Sequence, residues 1–90
     1  MLRGAELANL LKNARTKAGL SQKEVASVLG YKSSQFISNW ERGLSSPPLA
    51  TLRRLCVLYE ADESAIFNVI KEIAVRKLES ELEREFYGKN

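Results

Sequence analysis

Apolar residues recur every three to four positions through most of this chain, and glycine, proline or a small polar residue stands wherever that rhythm breaks. Leu7, Leu10, Leu11, Ala14 and Ala18 line one face of a first predicted helix over residues 5–18, with Gly19 as its stop. A second helix opens at Ser21. Ser21 and Glu24 have the spacing of a capping box, in which each side chain satisfies a backbone donor that the helix start leaves without a partner. Val25, Ala26 and Leu29 form its inner face and Gly30 ends it. A third helix begins near Ser33 or Ser34 and continues to Arg42, with Gly43 behind it and Ile37 and Trp40 turned inward.

A residue that precedes proline avoids the helical region, so Pro47 stays outside and Pro48 takes the first position of a fourth helix. That helix carries Leu49, Leu52, Leu55, Cys56 and Tyr59 inward. Asp62 is a natural cap for a fifth helix, which meets no glycine or proline before Gly88. It should run for ~23 residues, or ~35 Å. Ile66, Phe67, Ile70, Ile73, Ala74, Leu78, Leu82 and Phe86 form its drifting apolar stripe. The first half of that stripe suits a core contact with the first and fourth helices. From Arg76 to Glu85 only Leu78 and Leu82 are apolar. The expected fold is therefore all-α, five helices with an extended last one, and no repeat or linker calls for a second folding unit.

Ninety residues support one small core. The chain has no histidine and a single cysteine, Cys56, set in an apolar helix pattern where it reads as a small buried hydrophobe. No metal site, no cofactor and no catalytic residues are expected, and enzymatic chemistry lacks its usual actors. No apolar run reaches the ~18 residues a membrane span requires, and no signal-peptide core is evident, so a cytoplasmic protein without membrane contact is expected. The net charge of +3 is uneven. Residues 1–60 hold nine Lys or Arg against four Glu, and residues 61–90 hold five against seven acids. A basic first part suits a polyphosphate partner.

The segment from Leu20 to Gly43 has the physical marks of a helix-turn-helix. Ala26 is small enough to let the next helix approach, Gly30 makes the turn, and Ile37 and Trp40 lock the pair together. The chain here resembles the phage-repressor (Cro-like, XRE) family. The resemblance rests on Ala18-Gly19-Leu20-Ser21-Gln22 with Glu24 and Ala26, on Leu29-Gly30, on Ile37-Ser38 with Trp40-Glu41-Arg42-Gly43, and on Pro48, Leu52 and Leu55. It covers roughly residues 7–70. It implies a five-helix, lambda-repressor-like domain that binds operator DNA, usually as a dimer. One departure is clear: the stretch between Gly30 and Ile37 is one residue longer than the common family spacing, and the extra residue falls in the turn.

The third helix should expose Ser34, Gln35, Ser38 and Asn39, the surface that reads base edges in this family. Gln35 and Asn39 stand four residues apart on one face, and their amides can pair bidentately with adenine. The resemblance also makes Gln22 a phosphate ligand at a helix N-terminus. Lys23, Lys32, Ser33 and Arg42 join the expected DNA-binding set by position. Arg15 and Glu41 match a structural salt bridge that orients the recognition helix. Phe36 either packs against Tyr31 or meets a thymine methyl.

The expected organisation is a DNA-binding domain over residues 1–70, with the helix-turn-helix at 21–42, continued by a helical extension over 71–90. The extension can serve as a homodimer contact, as a docking site for another protein, or as a free end. The expected function is a sequence-specific transcriptional regulator of double-stranded DNA, acting as a homodimer and more readily as a repressor. An antitoxin-like interaction module is the alternative.

Overall fold

The computed structural model describes residues 3–88. Five helices follow one another: α1 (Arg3–Lys17), α2 (Gln22–Leu29), α3 (Gln35–Glu41), α4 (Leu49–Tyr59) and α5 (Glu63–Tyr87). No strand occurs among the described residues. The all-α expectation holds. α1 packs against α3, α4 and α5, while α2 packs against α3. The core joins Leu7 and Leu11 of α1 to Val25, Ile37, Trp40, Leu52, Leu55, Tyr59, Ile66 and Val69.

Local chemistry accounts for most of the boundaries. At α2, the Ser21 hydroxyl accepts from the Glu24 N–H at 3.0 Å, and the Glu24 carboxylate accepts from the Ser21 N–H at 2.8 Å. The Ser21 N–H first, and the Ser21 hydroxyl after it, hold the Glu24 carboxyl below its ordinary range. Gly30 closes α2 at φ 86, where a side chain would be strained, and the Tyr31 N–H reaches back to the Ala26 carbonyl at 2.9 Å. Asp62 caps α5 by accepting from the Ala65 N–H at 3.2 Å.

The structure corrects several expectations. α1 begins earlier than expected and stops at Lys17, so Ala18 lies in the turn and is exposed rather than packed. α3 starts at Gln35 with Ser34 as its N-cap residue, although Ser34 makes no side-chain cap bond; the Ser33 hydroxyl accepts from the Gln35 N–H at a long 3.4 Å. Pro48 sits one position outside α4 with an extended ψ of 153, serving as its cap. Leu49, expected in the core, is 70% exposed, since a first-turn residue on that side has no helix above it. Phe67 is likewise exposed, and the α5 residue that enters the core beside Ile66 is Val69.

α5 is a single helix of 25 residues. Ile66 and Val69 are buried, Ile70 and Ile73 pack partly against the core, and every described residue beyond Ile73 is exposed. No helix among the described residues is long and apolar enough to cross a membrane.

Candidate nucleic-acid interface

The candidate interface is built on α3, which is only seven residues long. So short a helix has little stability of its own, and its position comes from what it buries. Ile37 and Trp40 are sunk into the core at 1% and 4% exposure. With that face committed, Gln35 is exposed, while Ser34, Ser38 and Asn39 are partly exposed. The Gln35 amide nitrogen donates to the Asn39 side-chain oxygen at 2.9 Å. The two amides therefore form one linked polar unit on the outer face.

Behind that face lies a buried polar cluster. The Arg15 Nε donates to one Glu41 oxygen at 2.6 Å and its Nη2 to the other at 2.9 Å, a bidentate ion pair. Arg15 Nη1 also donates to the Leu20 carbonyl at 2.8 Å, and the Gln22 amide donates to Glu41 at 3.0 Å. One carboxylate at the end of α3 thus ties α1 to the first residue of α2, and Arg15 extends the link to the turn before α2. The Glu41 hydrogen bonds, opposed by burial, leave the Arg15 guanidinium holding its proton more firmly than usual. Tyr59 lies close enough to feel both charges. Burial first, then the Glu41 charge, push its hydroxyl up to about 12, with Arg15 opposing.

Gln22 is therefore a partner of Glu41 as well as the first residue of α2, and it is half-buried. Lys23, Lys32, Ser33 and Arg42 are exposed. Lys23, Lys32, Ser33 and Ser34 meet along one open groove of about 620 Å³ between α2 and the turn before α3. Ser27 and Tyr31 also line it; Ser27 carries no signal in the sequence, which points to Tyr31 only as a packing partner of Phe36. Arg42 stands apart from this groove at the C-terminal end of α3.

Phe36 packs its ring 5.0 Å from Tyr31 and 6.3 Å from Trp40, centroid to centroid, yet keeps 54% of its surface exposed. The longer turn is thus closed by an aromatic group standing on the edge of the recognition surface. Cys56 is buried, and burial followed by the nearby Glu63 charge raises its thiol above the ordinary range. It takes no part in this site.

Sequence reasoning also missed Ala8, which is buried at 4%. A side chain on Gly43 would come within 3.8 Å of its methyl group, so Ala8 supports the turn that follows α3. An alanine on a helix carries little signal of whether it packs.

Residues 6–66 match the model of a helix-turn-helix domain family. The chain is also 34% identical, over 79 residues, to the ImmF control region 10 kDa protein of Bacillus phage phi105, an alignment covering 88% of this chain and 82% of that protein. The phage-repressor-like helix-turn-helix family of DNA-binding regulators is accordingly the one to which this chain belongs.

Proposed function

We propose that this protein is a sequence-specific regulator that binds double-stranded DNA, reads the major groove with residues 33–42, and acts as a homodimer. The observation that carries the reading is the division of α3, with Ile37 and Trp40 buried and the hydrogen-bonded Gln35–Asn39 pair turned outward. Linked side-chain amides present both donors and acceptors, the complement of a base edge in the major groove. Ser34 and Ser38 share that base-reading face, while Lys23, Lys32, Ser33 and Arg42 contact phosphates to either side and set the register of the helix. Gln22, held by Glu41, directs its remaining amide donor to a phosphate at the start of α2. Occupying a promoter blocks polymerase, so repression is the expected outcome, in keeping with the control-region name of the phage relative.

Residues 1–70 form the DNA-binding unit in this reading, and 71–90 form the extension through which two copies join. Positions 1, 2, 89 and 90 of those spans lie outside the described residues. The exposed apolar side chains of α5 also suit a second reading, an antitoxin-like module whose last helix binds another protein.

Selection of bound duplexes from a random pool tests the main reading. A two-fold symmetric consensus is expected, with preference lost at one position per half-site in Gln35→Ala, at a cost of ~1–3 kcal/mol. Lys32→Ala should weaken all sequences alike and flatten the salt dependence. An affinity that is blind to sequence and steep in salt would overturn the reading.

A further inference from the structure

α4 turns a face without a partner to the surface, framed by two arginines. At about 100° per residue, Ala50 and Val57 lie opposite the buried Leu52, Leu55 and Tyr59, with Arg53 on one side of that ridge and Arg54 on the other. Arg54 leans toward α2, where its Nη2 donates to the Val28 carbonyl at a long 3.5 Å. Along this side runs an open groove of about 600 Å³, walled by Val28, Val57 and both arginines. On the other side Arg53 borders a groove of about 410 Å³ between α4 and α5, which Leu49 and Phe67 line. Arg53 is common to both grooves, so they make one surface across α4. Val28, Leu49, Val57 and Phe67 are each more than half exposed on it.

The geometry points to this face as the docking site for an acidic amphipathic helix of a different protein, whose apolar side chains enter the two grooves while its carboxylates meet Arg53 and Arg54. α4 contains no acidic residue, and neither arginine joins an ion pair among the described residues. Glu63 stands on the wall of the second groove and makes no ion pair with Arg53. A neutral apolar partner would strip water from both guanidinium groups and leave them unpaired, and a basic one would be repelled. A carboxylate answers the fork of an arginine with two hydrogen bonds. Ala50, Arg53, Arg54 and Val57 also stand at the spacing of i, i+3, i+4 and i+7, the ridge that one helix offers another.

The same observations disfavour DNA as the occupant. Phosphates would satisfy the arginines yet leave Val28, Leu49, Val57 and Phe67 in water. Val28 also lies about 9 Å along α2 from Gln22, well past the helix start where a phosphate is expected. No residue proposed to contact DNA lines either groove. A docked helix therefore competes with DNA for no side chain, and docking here is independent of base reading by α3.

Helix-stapled peptides of about 16 residues, or ~24 Å, test the site by fluorescence anisotropy with the full chain. One carries leucines at i, i+3, i+4 and i+7 flanked by glutamates. A second replaces the glutamates with lysines, and a third replaces the leucines with serines. The first should bind, and the other two should bind at least roughly tenfold more weakly. Arg53→Glu combined with Arg54→Glu, on an exposed face and folded by circular dichroism, should lose the glutamate peptide by a similar factor and take up the lysine peptide. Unfolding would not produce that exchange. Amide shifts on binding should centre on Val28, α4 and Phe67. Equal binding of the lysine peptide by the parent, a double variant that keeps the glutamate peptide, or shifts confined to residues 75–87 would each overturn the inference. The same double variant should keep the parent's DNA affinity, salt slope and sedimentation behaviour. A shallower salt slope would assign the arginines to phosphates, and weaker self-association would give the face to a second copy; either result would also overturn it.

Discussion

Replacing Glu41 with alanine probes the device that holds the recognition helix in place. Its carboxylate is 3% exposed and accepts three hydrogen bonds, two from Arg15 and one from Gln22. Without it, the Arg15 guanidinium keeps only the Leu20 carbonyl, at a site where its side chain is 13% exposed. Stranding one member of a buried pair costs ~3–5 kcal/mol, and the partial exposure of Arg15 places this case at the low end. A loss of about 3 kcal/mol is a large share of the ~5–15 kcal/mol that holds a small domain folded. At roughly 4–8 °C per kcal/mol, the melting midpoint should fall by at least 12 °C. Thermal unfolding followed by circular dichroism measures it. The double variant Arg15→Met, Glu41→Leu removes both charges and should recover much of the loss, because no charge is then left buried. A Glu41→Ala protein melting within about 4 °C of the parent would refute the argument, and so would a double variant as unstable as the single one.

Tyr59 gives a pH dependence of known sign. Its folded value of about 12 lies above the ordinary 10, so its contribution is complete below pH 10 and is lost as pH rises toward 12. Stability measured across that window should fall less steeply in Tyr59→Phe than in the parent. Glu60 is the one non-glycine among the described residues with positive φ, at 51, where it ends α4. Glu60→Gly should raise the unfolding free energy, read from denaturant titration, by about 0.5–1 kcal/mol, as the left-handed strain of ~1–2 kcal/mol is relieved and partly offset by chain entropy. Ser21→Ala should lower the melting midpoint by about 5 °C near neutral pH. Both proteins should lose stability in acid as pH falls through the depressed Glu24 value, because the carboxylate's main partner is the Ser21 backbone N–H, which Ser21→Ala keeps.

The elements most legible in the sequence were those with chemistry confined to a few neighbouring residues. The Ser21–Glu24 capping box, the Gly30 stop and the Asp62 cap are local devices, and the structure has all three. The Arg15–Glu41 pair spans 26 positions and was reached only through the family resemblance, since periodicity cannot say which charges meet. Leu49 and Phe67 were misplaced for a related reason. Helical spacing gives the direction of a side chain relative to its neighbours, but not whether another element lies over it. Both line an open groove between α4 and α5. The Gln35–Asn39 spacing was visible, whereas their mutual hydrogen bond depends on rotamers that only the folded helix selects.

The recognition helix also shows why stability and recognition cannot be separated in this fold. α3 has seven residues, no side-chain cap at Ser34, no acidic residue in its first turn and no basic residue in its last. Such a segment would be almost wholly unfolded in isolation. Its order is lent by Ile37 and Trp40 in the core and by Glu41 bound to α1 and α2, all on the face away from the proposed DNA contact. Gln35 and Asn39 can then remain outside without needing to stabilise anything. A change at Glu41 should accordingly alter base discrimination without touching a base, because the helix end that it fixes sets the direction in which Asn39, two residues earlier, points. Glu41→Gln, which keeps the shape and loses the charge, should separate the two effects in a binding assay. If it folds but tilts α3, preference among half-site variants narrows while the salt slope stays put, since the phosphate-contacting lysines do not depend on that carboxylate.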